Sequence, residues 1–372
     1  MAAYTTIDNP AAFFNVYPYT GTADTWTAHT GLGFEPNMTW HKSRTSGGWN
    51  GICDSVRGVD ASPSCKAVYS NAINNEESSS TEYLDGYQSD GFTVGKNGSF
   101  GGEGDDYVAY CWKMGTTTGK PTAGETNAPT GYSINTTSCQ GVYAYTGTSS
   151  TETIAHGLAR KPGLILVKKL DGSDENWVVY NGPVGYNAGA TAAPGTIDLT
   201  LNDSNARTAS STMWNDTDAT STVFTLGTDS LVNYTGRFYI AYVFADLQGY
   251  FKCGLYDGNS NADGPYVWTG FQPSFVILKN RDSGGPSGYG WAMLTDQFGE
   301  ENAEHQGFNE IVQSQYADQT AAAAANIDVD LLSNGFKIRG TSSNQNGGDR
   351  YIYMAWARSP MVNSSGVPGN AR

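Results

Sequence analysis

The sequence repeats one pattern of anchor residues three times, and this repeat limits the possible folds more than any other feature. In each copy a proline opens a strand-like stretch, a glycine stands fifteen residues before it and a lysine six residues after it. A later phenylalanine precedes a tyrosine-led stretch by fifteen residues, whereas the distance from proline to phenylalanine varies (56, 62 and 63 residues). Ordered matches at fixed spacing predict one structural unit written three times. The anchors are Gly21, Pro36, Lys42, Phe92 and Tyr107 in copy 1, Gly147, Pro162, Lys168, Phe224 and Tyr239 in copy 2, and Gly258, Pro273, Lys279, Phe336 and Tyr351 in copy 3.

The repeat divides the chain into domains. Copy 1, which includes an N-terminal arm, occupies residues 1–115, copy 2 occupies 139–247 and copy 3 occupies 248–360. Residues 116–138 form a Thr/Gly/Pro-rich linker, and residues 361–372 form a C-terminal arm. Each copy is near the size of one β-sandwich. We therefore predict an all-β protein of three tandem jelly-roll or immunoglobulin-like β-sandwich repeats.

The composition also favours strands and turns. The chain contains 46 glycines and 23 tyrosines, and only 15% of its residues are charged. Such chains favour strands and turns over helices. The one stretch with a helical signal is residues 301–325, for which we predict one or two short helices outside the sandwiches.

The alternation of side chains along the repeated strands predicts which faces are buried. Each tyrosine-led strand is bulky on one face and small on the other, which is typical of a central strand covered on both faces. Trp112, Phe244 and Trp356 occupy equivalent positions on the bulky face and are predicted to be core residues. One face of the proline strand is polar only in copy 1, at Thr39 and His41, so copy 1 exposes this face or covers it with polar groups.

Two further sets of repeated residues follow the proline. The lysines Lys42, Lys168 and Lys279 are expected to pack their stems on the sheet and to keep their ammonium groups in water. Trp177 and Trp291 follow their prolines at similar distances and are predicted to be core residues.

The charge of the chain excludes several partners. A formal charge of −15 and a pI near 4.6 argue against nucleic acid as a partner, because phosphate binding needs a basic face.

No apolar run is long enough to span a membrane, and the N-terminal residues lack the basic and apolar parts of a signal peptide. The five cysteines are odd in number and lack close pairs, so we expect neither a zinc site nor disulfide bonds; a bridge between Cys53 and Cys65 is the alternative.

Longer stretches of the chain resemble a known repeat family. They are "YTG", "FEPNMTWHKSR", "DSVRG", "SDGFTVG", "YVAYCWK", "SDENWVVY", "TVFTLG", "YIAYVFA", "NADGPYVWTGFQPSFVILKNRD" and "VNSSGVPGNAR". Together they resemble tail-fibre-like virion proteins of marine and cyanobacterial tailed phages over nearly the whole chain. The resemblance implies a structural part of a virion, and its motifs locate no functional site. The chain departs from a long fibre because heptads, a fibre-shaft repeat and a long N-terminal attachment domain are not found in it.

Two polar patterns in the sequence have features of metal-binding or catalytic sites. The stretch "DGNSNADG" places Asp257, Asn259, Asn261 and Asp263 at alternate positions, as in a calcium loop, but the usual glycine and glutamate are missing. A polar hairpin turn is the alternative, and we predict no bound metal and no cofactor. The histidines, among them His29 and His156 in turns at similar distances before the proline, have no nucleophile motif beside them, so we predict no catalytic residues.

The best candidates for ligand contact are aromatic residues in the segments whose length varies. Tyr186, Trp214 and Tyr316 lie there among Asn, Asp and Gly. A ring with neighbouring amides can stack on a sugar and bond its hydroxyl groups, so these residues are predicted contacts for a glycan or another partner. The alternative is that the rings close the loops onto the sandwich.

These observations lead to an expected function. We expect a non-enzymatic virion structural protein, exposed on the surface as a tail-fibre or receptor-binding component. A head decoration or adaptor protein is the alternative, since both terminal arms resemble segments that become ordered on a partner. A glycan depolymerase is a minor alternative, because carboxylates are numerous. The expected partners are other virion proteins, further copies in a homo-oligomer (a trimer is favoured) and a host surface glycan or protein. The protein is expected to be synthesised in the cytoplasm of the host bacterium and to lie on the tail or head surface of the virion.

Overall fold

The computed structural model describes residues 4–22, 24, 26–58, 65–79, 82–185, 194–285, 289–297 and 310–369. These residues form an all-β protein built of antiparallel sheets. They contain one α-helix, α1 (Ser230–Asn233), which begins where the Asp229 side chain accepts a hydrogen bond from the backbone of Leu231. They also contain three short 3-10 turns: Pro10–Ala12, Gly182–Gly185 and Pro194–Thr196.

Copy 1 forms a six-stranded sheet and a small three-stranded sheet. The strand order is β1-β9-β3-β4-β5-β6 in the first and β2-β8-β7 in the second. The strand that follows Pro36, β3, thus lies beside the tyrosine-led strand, β9. The strands are β1 (Phe14–Thr20), β2 (Thr27–Thr30), β3 (Met38–Ser43), β4 (Gly51–Asp54), β5 (Cys65–Tyr69), β6 (Glu77–Ser79), β7 (Leu84–Gln88), β8 (Gly91–Val94) and β9 (Asp106–Trp112).

Copy 2 forms a seven-stranded sheet with the order β10-β11-β18-β13-β14-β15-β16 and a two-stranded sheet, β12-β17. Its first strand, β10, falls inside the stretch predicted as linker, and Thr126 of that stretch bonds to Thr153 of β12. The predicted linker is therefore packed against copy 2. The strands are β10 (Gly131–Asn135), β11 (Gln140–Thr146), β12 (Glu152–Ala155), β13 (Pro162–Lys169), β14 (Val178–Asn181), β15 (Ile197–Thr200), β16 (Thr208–Ala209), β17 (Val223–Leu226) and β18 (Phe238–Ala245).

Copy 3 forms one eight-stranded sheet with the order β19-β26-β21-β22-β23-β24-β25-β20. The helices predicted within residues 301–325 are wrong for the described part, because β23 and the start of β24 occupy it; residues 301–309 lie outside the described residues. The strands are β19 (Phe251–Asp257), β20 (Tyr266–Trp268), β21 (Phe271–Asn280), β22 (Ala292–Thr295), β23 (Glu310–Tyr316), β24 (Ala324–Leu332), β25 (Gly335–Ile338) and β26 (Arg350–Pro360).

The proline strand and the tyrosine-led strand pair in the same register in all three copies. The lysine near the end of each proline strand lies opposite the residue that follows the leading tyrosine of the partner strand. Because the side-chain period of a strand is two, this register puts the same positions on the same face each time. The pairs are Lys42 with Val108, Lys168 with Ile240, and Lys279 with Ile352.

The bulky faces of the three large sheets meet in one hydrophobic core. At its centre the rings of Trp112, Phe244 and Trp356 form a triangle, with centroids 5.9, 5.5 and 5.5 Å apart. The prediction that these are core residues is confirmed, since each is at most 2% exposed. The three copies are thus not independent sandwiches in a row, because each buries its bulky face against the other two.

The opposite face of the copy 1 sheet is buried by the small sheet. Thr39 and His41 are both fully buried there. The Thr39 hydroxyl lies 3.2 Å from the hydroxyl of Tyr87, and Nδ1 of His41 lies 2.9 Å from the hydroxyl of Tyr19. Of the two sequence expectations for this face, cover by polar groups is the one that the structure shows.

The lysines near the ends of the proline strands join neighbouring copies. Their expected exposure is wrong: all three are fully buried, and burial lowers the pKa of each ammonium group to about 8. Each ammonium donates to a backbone carbonyl of another copy, which replaces the lost water. The bonds run from Lys42 to Gln319 (3.1 Å) and Ala321 (2.8 Å), from Lys168 to Ile73 (2.8 Å), and from Lys279 to Ser204 (2.9 Å).

A second set of contacts repeats the same cycle. The residue immediately before β4, β14 and β22 donates a side-chain hydrogen bond to the end of a strand in the neighbouring copy. Copy 1 donates to copy 3, copy 3 to copy 2 and copy 2 to copy 1, so the contacts close a ring. The bonds run from Asn50 to Tyr316 (3.0 Å), from Trp177 to Tyr69 (2.8 Å) and from Trp291 to Thr200 (2.9 Å).

The two terminal arms pack on copy 3. Tyr4 donates a hydrogen bond to the carbonyl of Gly270 (3.0 Å), and Thr5 donates to the carbonyl of Gln248 (2.9 Å). The arms also bond to each other, since the backbone N–H of Ser364 donates to Asp8 at 2.6 Å. The described residues of both arms are therefore held by contacts within this chain.

The cysteines whose side chains the structure describes, Cys53, Cys111, Cys139 and Cys253, are all buried. Of these, Cys111, Cys139 and Cys253 carry free thiols. Burial raises the pKa of the Cys111, Cys139 and Cys253 thiols. The side chain of Cys65 lies outside the described residues.

Candidate functional site

The three aromatic residues predicted as ligand contacts are not brought together. Trp214 is 1% exposed, with its ring centroid 5.6 Å from that of Tyr180. Tyr316 is 6% exposed, and its hydroxyl accepts a hydrogen bond from Asn344 at 2.8 Å. The exposure predicted for these two rings is wrong: Trp214 packs onto the body from a loop, and Tyr316 is the last residue of strand β23. Tyr186 lies outside the described residues.

The calcium-like stretch forms a turn held by its own side chains. Asn259 accepts from the backbone N–H of Asn261, and Asn261 accepts from that of Asp263 (3.0 and 2.9 Å). Asp263 also pairs with Lys337 at 2.7 Å, and Asp257 pairs with Arg350 at 2.5 Å. Within the described part of the chain, no group of three or more His, Cys, Asp or Glu could hold a metal ion.

The described histidines are packed into the body. Burial lowers the pKa of His29 to about 4, of His41 to about 3 and of His156 to about 4. His156 accepts a hydrogen bond from the backbone of Leu158 at 3.1 Å, as expected of a structural turn residue. His29 and His156 do not occupy the same place in their copies, because His29 lies opposite Phe92 whereas Ile154 lies opposite the corresponding Phe224.

Because burial lowers the pKa of these histidines, we expect the free energy of unfolding to fall in mild acid. Between pH 6.5 and about 4 the unfolded chain binds protons that the folded chain does not, so the free energy of unfolding falls as the pH is lowered. At pH 5, His41 and His156 should each lower it by ~2 kcal/mol relative to pH 7. Denaturant melts at both pH values measure this loss. The variant His156→Asn should show a shallower dependence, and an unchanged slope would contradict the prediction.

A polar cleft of about 400 Å³ opens between copies 2 and 3. It lies in the segments between the proline strand and the phenylalanine, where the sequence predicts binding. Its two charged lining residues, Arg207 and Asp282, pair with each other at 2.9 Å. The cleft is lined by Thr196, Ile197, Arg207, Thr208, Ala209 and Asp282.

Two aromatic residues that the sequence analysis did not single out lie exposed on one strand. Tyr266 is 45% exposed and Trp268 is 49% exposed, whereas Val267 between them is buried. Because side chains alternate along a strand, both rings project from the same face, about 7 Å apart. Their strand, β20, is the outermost strand of the copy 3 sheet. We call these two rings the aromatic platform.

The surroundings of the aromatic platform hold it in place. A Cβ added to Gly270 would lie 3.0 Å from the six-membered ring of Trp268, so the indole packs against this glycine, whose φ is +83°. The Tyr266 hydroxyl donates to the carbonyl of Asn334 at 3.4 Å. Lys337 lies opposite Tyr266 on β25, and its ammonium bonds to Asp263. The platform therefore has an ion pair and a backbone carbonyl at its edge.

One family model matches this chain. It is described as a domain of unknown function, DUF7483, and it matches residues 9–360. The chain belongs to the DUF7483 family. No curated protein and no solved structure matches it. The matched stretch includes all three copies, which agrees with the single core that they share.

The aromatic platform is specific to copy 3 of this DUF7483 chain. The phenylalanine anchors align the three edge strands, since His29, Ile154 and Val267 each lie opposite that phenylalanine. At the positions of Tyr266 and Trp268, copy 1 has Ala28 and Thr30, and copy 2 has Thr153 and Ala155. The body of the fold therefore does not require aromatic rings at these positions.

A sequence signal for the platform exists. In "YVW" two large aromatics flank one small apolar residue, which places both rings on the face opposite the buried one. Their exposure depends on β20 being an edge strand, and local sequence does not determine the order in which strands pair.

No described helix is long and apolar enough to cross a membrane.

Proposed function

We propose that this protein is a non-enzymatic structural component of a bacteriophage virion, carried on the tail surface, where it contacts the host. The observation that carries the proposal is the division of roles between the copies. The repeated residues build one body, whereas the aromatic platform breaks the repeat in copy 3 alone. Large exposed aromatics outside the core are typical of contact surfaces.

The stretches that carry the resemblance to tail-fibre-like proteins support the same proposal. They contain Trp40, Trp112 and Phe244 of the shared core and Lys42 of the inter-copy contacts. These residues stabilise a rigid body, and a surface component of a particle needs such a body to hold a contact surface in place. The platform residues Tyr266 and Trp268 belong to one of these stretches as well.

Immunogold electron microscopy of purified virions tests this proposal. An antibody raised against the chain should label tails, and pre-incubation with the purified protein should abolish the label. Label confined to heads would replace the tail role with head decoration. Absence of label from intact and from disrupted virions would refute a virion role.

A second measurement separates attachment from catalysis. The purified protein should release no new reducing ends from polysaccharide prepared from host cells. A time-dependent release that scales with protein concentration would make the protein a depolymerase.

A further inference from the structure

We propose that the aromatic platform, Tyr266 and Trp268, is a binding site for a neutral glycan. That the glycan belongs to a host surface rests on the proposed function, whereas the ligand chemistry rests on the geometry of the platform. The proposed site lies outside the length-variable segments, on an edge strand before the third proline.

The two rings have the arrangement that sugar stacking needs. Each is about half exposed, so each offers ring surface to solvent while the rest is packed. Stacking buries the apolar C–H face of a sugar against the ring, and two rings about 7 Å apart can contact one oligosaccharide together. Opposite Trp268 on β25 stands Gly335, which has no side chain to cover the indole.

The contacts around Trp268 fix its ring before any ligand arrives. The indole packs against Gly270, and the hydroxyl of Tyr4 donates to the carbonyl of the same glycine at 3.0 Å. The backbone N–H of Met361 donates to that carbonyl as well, at 3.3 Å. Both arms of the chain thus brace the platform, which reduces the entropy cost of ordering the ring on binding.

The polar groups beside Tyr266 suit a hydroxyl-rich ligand. The side chain of Asp263 is 83% exposed, and that of Lys337, with which it pairs, is 22% exposed. A carboxylate accepts hydrogen bonds from sugar hydroxyls, and an ammonium group donates them. Because the pair is neutral overall, it offers no net charge to an ionic ligand.

The charge of the whole protein argues against an anionic ligand. The formal net charge is −15, which repels acidic polysaccharides at low ionic strength. A neutral glycan gains from stacking without this repulsion. The other exposed pair of rings, Tyr234 and Phe238, differs because the ammonium group of Lys169 already lies 5.8 Å from the centroid of the Tyr234 ring.

The test uses the full-length protein and defined sugars. Neutral hexasaccharides of glucose, galactose, mannose and N-acetylglucosamine, and a sulfated hexasaccharide, are immobilised and titrated with protein. We expect saturable binding to at least one neutral sugar. Trp268→Ala and Tyr266→Ala should each weaken it at least tenfold, whereas Phe238→Ala, which removes an exposed ring in copy 2, should leave it unchanged. Melting temperatures within about 2 °C of the wild type show that the variants fold.

Several outcomes would overturn the proposal. Binding to no neutral sugar, stronger binding to the sulfated sugar, or equal binding by Trp268→Ala would refute it. Retention of the wild type but not of Trp268→Ala on sugar-free, immobilised virion proteins, without sugar binding, would assign the platform to a protein partner. Sugar binding by a chain that labels no virion would keep the platform and refute only the proposed virion role.

Discussion

Replacing Trp356 with alanine should lower the free energy of unfolding by about 3–5 kcal/mol. The indole is 1% exposed and contacts rings of all three copies, with centroids 5.5 Å from Trp112, 5.5 Å from Phe244 and 5.2 Å from Phe275. Truncation removes these contacts and leaves a void, because residues from three sheets cannot all close on it. Denaturant melts of the full-length protein measure the loss.

We expect the surroundings of Trp356 not to fill the void that this substitution leaves, because a cavity already lies there. A small apolar cavity of about 10 Å³ already lies beside the ring triangle and is lined by residues from all three copies, among them Trp40, Leu166 and Ile277. The void left by Trp356→Ala would join it. Because the core is shared, the variant should still unfold in a single transition. Phe238→Ala, at a ring that is 53% exposed, is the matched control and should cost less than about 0.5 kcal/mol. A loss below about 1 kcal/mol for Trp356→Ala would show that the ring is not a core residue.

Replacing Arg57 with methionine should cost about 3–5 kcal/mol, since it leaves a buried carboxylate without its partner. Arg57 and Asp54 side chains are 2% and 0% exposed, and Nε of Arg57 lies 2.6 Å from Asp54. The Tyr242 hydroxyl of copy 2 donates to the same Asp54 oxygen at 2.6 Å, and Arg57 donates to the Tyr242 hydroxyl at 3.1 Å. The substitution therefore weakens the junction between copies 1 and 2.

Two further variants distinguish a buried charge from a lost contact. The double variant Asp54→Asn with Arg57→Met removes the uncompensated charge, so it should lose less stability than Arg57→Met alone. Lys161→Met, which breaks an ion pair whose side chains are 40% and 31% exposed, should cost less than about 1 kcal/mol. If Arg57→Met costs no more than Lys161→Met, the buried pair does not stabilise the junction.

The Lys42, Lys168 and Lys279 contacts show where sequence reasoning was incomplete. Their fixed spacing from the prolines predicted one shared structural role, and the structure gives them one. The sequence pattern could not tell an exposed ammonium from a buried one, because the acceptors are backbone carbonyls far along the chain. Any residue supplies a carbonyl, so no motif marks the acceptor.

The candidate site shows a similar division. Trp214 and Tyr316 lie in polar, variable segments, and composition alone predicted that they are exposed. Both are buried, because the loop with Trp214 packs against Tyr180 and because Tyr316 is the last residue of strand β23 in the copy 3 sheet. The sequence does not distinguish Tyr266 and Trp268 from core residues, because both lie in a short repeated strand on either side of an apolar valine. Exposure here depends on which strand ends the sheet, and that is a property of the whole fold.

The sequence by itself determined the all-β class, the equivalence of the proline strands and of the tyrosine-led strands in the three copies, and the core role of Trp112, Phe244 and Trp356. These follow from local spacing and from the two-residue period of a strand, which every copy must keep to bury one face. Only the tertiary structure decided that the three bulky faces bury one another, that the lysines and Trp177 and Trp291 connect the copies in a ring, and that β20 lies at an edge. Those features depend on contacts between residues distant in the chain, and hydrophobic burial favours any apolar partner surface without specifying which one.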